Sequence, residues 1–314
     1  MRMTKRRQEI LQEEKAGKGW WIARFLFYGA LLGVIYWLLF GDGMKQESPD
    51  IYLEDLYSPY AILLDGESGA IITSKRAGEK IYPASMTKMM TAIVAIEHTA
   101  DWETRIELSG EMIRRLYYGH ASLAGFEEGE QVAPKELLYG ILLPSGAECC
   151  EGYACYLAGD EGTFVEWMNE KASELGMKNT HFVNTTGLHH EEHYSTVEDM
   201  ALLLKYCLGN EIFREVIRAK EHEVSDSSGE KRIFTSTLHE HLTGRELING
   251  EILGGKTGYT SRAGLCLASV AIIDGKEYLL VTAGALGTTS TEPFHVKDAV
   301  KVYKKIDRHP PVNF

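Results

Sequence analysis

The chain has 314 residues, of which 44% are hydrophobic and 25% charged, the composition of a globular protein with enough length for a sizeable core. Its formal net charge of −12 is unevenly spread: residues 1–45 hold 8 of the 33 basic and 4 of the 45 acidic side chains, which leaves 25 basic against 41 acidic, a net of −16, for the remainder. A domain of that sign repels nucleic acid and anionic lipid, so any anionic substrate needs a local cationic site.

Residues 1–19 are polar and mostly basic and read as a cytoplasmic tail. Residues 20–40 are apolar apart from Arg24, with no charge between Phe25 and Phe40. A run of about 20 such residues is long enough to cross a bilayer, and Arg24 is near enough to its end to snorkel. Basic residues before the span and acidic residues after it predict a single-pass anchor with its N-terminus in the cytoplasm. The absence of an Ala-x-Ala site favours an uncleaved anchor over a signal peptide, with Gly41-Asp42-Gly43 a weak substitute site. Residues 41–59 read as a linker, 60–306 as the folded domain and 307–314 as a short tail.

Two short apolar runs, Ala61–Asp65 and Ala70–Ser74, flank Gly66-Glu67-Ser68-Gly69 and predict a β-hairpin. A helix then opens at Pro83-Ala84-Ser85-Met86-Thr87-Lys88, and Glu107 to Glu130 reads as loop. Further helices are expected over Pro134–Leu143, Ala147–Leu157, Thr163–Leu175 (stopped by Gly176) and Thr196–Cys207, the last capped by Thr196 or Ser195. Ser225 to Arg232 is a polar stretch. Glu251–Gly255, Leu265–Ile273 and Tyr278–Ala283 read as strands, the last two joined at Asp274-Gly275, and Pro293–Ile306 as a closing helix. Strands at both ends with helices between them predict an α+β domain, its terminal strands sharing one sheet and its helices forming a lobe against it. The five cysteines (Cys149, Cys150, Cys155, Cys207, Cys266) show no metal spacing and read as small buried apolar residues.

Three short motifs carry chemistry. Ser85 and Lys88 stand three apart at the start of a half-buried helix, so they share a face. A serine hydroxyl is a weak nucleophile until a base takes its proton, and a lysine is such a base only where desolvation or nearby cations lower its pKa. A second Ser-x-x-Lys, Ser228 to Lys231, sits in a turn-like polar cluster. Ser145-Gly146-Ala147 lies at a helix–helix corner, where Ser145 is placed to relay a proton. Lys256-Thr257-Gly258 ends a strand-like run and reads as an anion clamp: a cation, a hydroxyl, and a glycine that lets a ligand backbone lie close.

In this order and context the three motifs resemble those of the low-molecular-mass penicillin-binding proteins, the D-alanyl-D-alanine carboxypeptidases. The likeness runs from about Tyr60 to Ile306. It includes Tyr82-Pro-Ala-Ser-Met-Thr-Lys88, Leu138-Tyr-Gly-Ile-Leu-Leu-Pro-Ser-Gly146, Gly176-Met-Lys-Asn-Thr-His-Phe-Val-Asn184, His193-Tyr-Ser-Thr196 and Gly255-Lys-Thr-Gly-Tyr-Thr260. The resemblance implies a β-lactamase/transpeptidase-like α+β fold, with an antiparallel sheet of N- and C-terminal strands flanked by helices and an all-helical lobe. It implies a serine peptidase without cofactor or metal, acting on peptidoglycan stem peptides that end in D-Ala-D-Ala and acylated by β-lactams. Ser85 would be the nucleophile, Lys88 its general base and Ser145 the proton shuttle. Lys256 and Thr257 would hold the terminal carboxylate, with Arg262 a second cation. Gly258 would let the substrate backbone approach, and the N–H groups of Ser85 and Tyr259 would form the oxyanion hole.

Two departures stand out. Ala147 occupies the place where the family usually has Asn, and the chain ends about eight residues after its last helix, without the β-rich C-terminal domain and amphipathic anchor common in relatives. The alternatives are a penicillin-recognising sensor or scaffold, and a β-lactamase. The second is opposed by the lack of a dedicated deacylating Glu, since Glu246-Leu-Ile-Asn249 lies beside Lys-Thr-Gly. A zinc peptidase is opposed by His189-His-Glu-Glu-His193, which is not His-Glu-x-x-His. The resemblance places His193-Tyr-Ser-Thr196 in a structural turn instead.

Overall fold

The computed structural model describes residues 51–225, 231–242 and 244–307. The expected anchor over 20–40 lies outside them, as does Ser228; among the described residues no helix is long and apolar enough to cross a membrane.

The chain enters the sheet with β1 (Tyr60–Asp65), turns through Gly69 at φ 74° and returns as β2 (Ile71–Lys75). Asp65 holds this turn by accepting from both the N–H and the hydroxyl of Ser68, at 2.7 Å each. A single 3₁₀ turn, Ala84–Thr87, leads into α1 (Lys88–His98). Next come β3 (Ile106–Glu107), α2 (Gly110–Tyr118), β4 (Gln131–Val132), α3 (Pro134–Leu142), α4 (Ala147–Ala158), α5 (Glu161–Glu174), α6 (Val197–Leu208) and α7 (Glu211–Arg218). The hairpin β5 (Glu221–Ser225) and β6 (Lys231–Thr235) precedes the long meander β7 (Gly250–Thr260), β8 (Gly264–Ile273) and β9 (Lys276–Ala285), and α8 (Phe294–Asp307) closes the fold.

The main sheet has the order β2-β1-β9-β8-β7, with every pair antiparallel. The expected union of N- and C-terminal strands is thus made by β1 against β9. Side chains alternate across a strand, and here both faces are buried. Ala61, Leu63, Leu267, Ala271 and Leu280 face α8, whose Val296, Ala299, Val302 and Tyr303 fill that side. Ile62, Leu64, Ala268, Val270, Leu279 and Val281 belong to the core shared with the helical lobe. Every residue of α1 from Lys88 to Ile96 is buried, so this helix runs through the middle of the domain. The β8–β9 turn is Asp274-Gly275, with φ 50° and 76°, the two positive values that a two-residue hairpin requires.

The segment 107–130 is mostly loop, as expected, but holds one helix that the sequence did not predict: Ser109 caps α2, whose buried residues are Gly110, Met112 and Leu116, a stripe too thin to stand out in a polar sequence. Helix α7, capped by Asn210, and the β5–β6 hairpin were not foreseen. Lys256-Thr257-Gly258 does not end its strand, because β7 continues to Thr260 and pairs with β8 as far as Gly264.

The cysteines are all free, and four of the five are buried. Three lie on α4, where a small side chain permits close packing; a Cβ on Gly140 of α3 would sit 2.5 Å from Cys149 Sγ.

Candidate active site

Ser85 sits in the 3₁₀ turn, not in the α-helix proper. In such a turn residues i and i+3 eclipse, which brings their side chains together more directly than an α-helix does. Lys88 Nζ donates to Ser85 Oγ at 3.2 Å and to the Thr186 carbonyl at 2.6 Å. Lys88 is only 2% exposed. Burial pushes its pKa down, against a smaller opposing pull from Cys150, Glu148 and Cys149. Ala84, just before the serine, has φ 48°, a conformation that costs a non-glycine residue energy and marks a constrained turn.

The carbonyl that holds Lys88 is itself fixed. Asn184 Oδ1 accepts from Thr186 N at 3.2 Å, Thr186 Oγ1 at 3.1 Å and Gly187 N at 2.8 Å. Gly187 has φ 81°, and a Cβ there would fall 1.9 Å from the Ala84 carbonyl oxygen. Gly187→Ala is therefore expected to push the Thr186 loop off the Ser85 turn, lowering kcat/KM by more than about tenfold and Tm with it. Gly176→Ala is the control: φ is 76° there too, but nothing lies within 4 Å, so only the backbone cost of about 1 kcal/mol should appear. Equal effects from the two variants would contradict this role for Gly187.

Beneath the lysine, His193 is 2% exposed, accepts from Val183 N through Nδ1 at 3.1 Å and meets Thr87 Oγ1 through Nε2 at 2.8 Å. With Nδ1 an acceptor, Nε2 carries the proton, and burial holds the pKa down at about 3. The ring is a neutral brace in the turn expected for His193-Tyr-Ser-Thr196, bridged by Ile81 against Ser195 and His181 against Tyr194.

Strand β7 is the edge of the sheet and passes against the Ser85 turn. Gly258 makes this approach possible, since a Cβ there would lie 3.0 Å from Ser85 N and 3.2 Å from Pro83 O. Thr257 and Thr237 face each other, their hydroxyl oxygens 2.6 Å apart. Lys256 behaves differently from the expected clamp. It is fully buried, and its Nζ donates to the carbonyl of Thr257 at 3.1 Å. Burial, together with the positive charge of Lys88, pushes its pKa down to about 7. Arg262 is exposed in the β7–β8 turn.

Ser145 stands at the α3–α4 corner with φ 71°, is 5% exposed, and its Oγ has no hydrogen-bond partner among the described residues. Ala147, the first residue of α4, is fully buried and offers no side-chain polar group. Its N–H donates to Ser122 O at 2.8 Å. Glu148 Oε1 accepts from Gly125 N at 2.9 Å and Phe126 N at 3.4 Å, so the 122–126 loop is pinned over the corner.

These pieces converge on one cleft of about 520 Å³, lined by Ser85, Ser145, Thr257, Gly258 and Tyr259 together with Thr237, His241 and His295. Lys88 and Lys256 lie behind its wall. Thr237, Thr186 and His295 were not singled out from the sequence. Thr237 and Thr186 carry no local signal, because each acts through a contact made only in three dimensions. Among the described residues no group of His, Cys, Asp and Glu is placed to hold a metal ion.

A serine hydroxyl against a buried lysine, at the edge of an antiparallel sheet carrying Lys-Thr-Gly, defines the active-serine class shared by penicillin-binding proteins and class A β-lactamases. Within that class the chain belongs to the D-alanyl-D-alanine carboxypeptidase family, whose model matches residues 44–287. It is 34% identical over 231 residues to the D-alanyl-D-alanine carboxypeptidase DacF of Bacillus subtilis, covering 72% of this chain and 57% of that one. It is 32% identical over 217 residues to DacA of Escherichia coli, covering 67% and 52%. The chain thus spans a little over half the length of these curated relatives. The fold is similar to the crystal structure of the Streptomyces K15 DD-transpeptidase, with a TM-score of 0.71 at 23% identity over 80% of this chain and 97% of that one. A D-alanyl-D-alanine carboxypeptidase structure from Mycobacterium tuberculosis gives 0.69 at 22% identity, covering 82% and 93%.

Proposed function

We propose that this protein is a serine-type D-alanyl-D-alanine carboxypeptidase that removes the terminal D-alanine of peptidoglycan stem peptides through an acyl-enzyme on Ser85. The observation that carries the reading is the Ser85 Oγ–Lys88 Nζ contact of 3.2 Å, with the lysine desolvated and the serine opening on a cleft. Family membership supports the same reaction.

The chemistry follows from the geometry. Lys88, whose ammonium form burial disfavours, takes the proton of Ser85 in its unprotonated form as Oγ attacks the carbonyl carbon of the penultimate D-alanine. The Thr186 carbonyl and the Ser85 oxygen steady the ammonium that forms. The N–H groups of Ser85 and Tyr259 receive the oxyanion, an interaction worth about 3–4 kcal/mol per donor in well-placed sites. Ser145, its hydroxyl otherwise unpartnered, gives its proton to the leaving amine as the C–N bond breaks and takes the proton held by Lys88 in return, which leaves the lysine neutral for the second half of the reaction. Water, with Lys88 again as base, then frees the acid and restores the serine. β-Lactams enter the same path and stop at the acyl-enzyme.

The reading extends to a membrane-anchored enzyme, with residues 20–40 as a single span and the catalytic domain outside the cell. The charge-free run from Phe25 to Phe40 supports it. The intact protein should sediment with membranes and resist extraction by alkaline carbonate, and its mature N-terminus should be that of the full chain. A mature N-terminus near Met44 would show a cleaved signal and refute the anchor. The catalytic reading is tested by D-alanine release from a Lys-D-Ala-D-Ala peptide and its block by penicillin.

A further inference from the structure

The proposed substrate ends in a carboxylate, yet among the described residues no lysine or arginine lines the cleft. Lys256 is fully buried, with its ammonium turned onto the Thr257 carbonyl, and Arg262 lies on the exposed β7–β8 turn. The basic groups of the cleft are His120, His241 and His295. His120 and His241 are exposed, whereas His295 is 5% exposed.

His295 is the second residue of α8, so it stands at the positive end of a helix of 14 residues. Its Nδ1 has neither solvent nor a hydrogen-bond partner among the described residues. With Nδ1 walled off, Nε2 is the nitrogen left to serve the cleft. An unpartnered lone pair at Nδ1 is tolerated better than an unpartnered N–H, so the proton belongs on Nε2.

We propose that His295, donating through Nε2 into the cleft that Thr237, Thr257 and His241 also line, receives the terminal carboxylate of the substrate and makes the site selective for a free C-terminus. This rests on the carboxypeptidase reading and adds its specificity residue. Burial holds the His295 pKa down at about 4, so in the empty cleft the ring is a neutral donor, not a buried cation in need of a permanent counter-ion. An oriented neutral donor and two hydroxyls suit a desolvated carboxylate, which takes several hydrogen bonds on its two oxygens. The assignment also removes the difficulty that Lys256 faces, since a clamp with no exposed surface has to leave its pocket to be reached.

The test compares diacetyl-Lys-D-Ala-D-Ala with the same peptide amidated at its C-terminus, using the full chain in detergent. Wild type should favour the acid. His295→Phe, which keeps a ring and loses the donor, should shrink the acid-to-amide ratio of kcat/KM by about tenfold or more. His295→Gln, whose side-chain N–H reaches about as far as Nε2–H, should keep the ratio within about threefold of wild type. The ratio is read on one preparation, so partial loss of folded enzyme cancels. A His295→Phe variant with an undiminished ratio, or a wild type indifferent to amidation, overturns the assignment while leaving the peptidase reading in place. A wild type that releases no D-alanine and takes no penicillin on Ser85 removes the peptidase reading and this inference together.

Discussion

Ser85→Ala should abolish D-alanine release, with kcat/KM falling by at least about 1,000-fold, while Tm stays within a few degrees of wild type. The two expectations come from the same contacts. The hydroxyl is the only atom of Ser85 that can form an acyl ester, so nothing replaces it. Its structural share is small: Lys88 keeps its 2.6 Å bond to the Thr186 carbonyl, and Ser85 itself is only half-buried. Lys88→Arg sharpens the point. Arginine is charged at any working pH and cannot accept the serine proton. A comparable loss of activity is expected there, with the cation still present. If the arginine variant kept more than about a tenth of wild-type kcat/KM, Lys88 would be acting as a charge and not as a base.

Lys256→Met should raise stability at neutral pH by several kcal/mol. Lys256 is fully buried, and its pKa falls from 10.5 to about 7 through burial first and the Lys88 charge second. The unfolded chain takes up the proton near 10.4. Between these values the unfolded state binds a proton that the native state does not, so the lysine weakens the fold as pH falls. The penalty is complete below about 7 and disappears as pH rises towards 10.5, and over that interval it amounts to something on the order of 5 kcal/mol. Methionine fills the space without a charge, at the cost of one hydrogen bond to the Thr257 carbonyl worth about 1 kcal/mol. Urea unfolding at pH 7 and pH 9 should show the gap between variant and wild type narrowing at the higher pH. A variant less stable than wild type at both would mean that Lys256 sits charged and paired in the native state.

The parts of this molecule legible from sequence are those set by local pattern. The hairpin at Gly66–Gly69, the Asp274-Gly275 turn and the helices starting at Pro134, Ala147 and Val197 follow from turn chemistry, capping and apolar period. The closing helix, with Pro293 just ahead of it, belongs with them. Helix α2 escaped because its buried side chains larger than glycine are only Met112 and Leu116, and α7 because its eight residues make only about two turns and half of them are charged. The site divides in the same way. Ser85 and Lys88 share one turn, so spacing suffices to pair them. The bond from Lys88 to Thr186 spans 98 residues and the pairing of Thr237 with Thr257 spans 20 across a 3₁₀ turn and a loop, so neither leaves a local trace. Lys256 is legible only in part: its motif is visible in the sequence, but a strand's alternation does not say which of its residues faces a cleft and which is enclosed, and the lysine is fully buried.

The account stands or falls on the acyl-enzyme. The full chain incubated with penicillin should gain the mass of one penicillin, and peptide mapping should place it on the segment that contains Ser85, with no adduct in Ser85→Ala. An adduct on the peptide carrying Ser145 or Ser228, or D-alanine release at the wild-type rate by Ser85→Ala, would contradict it.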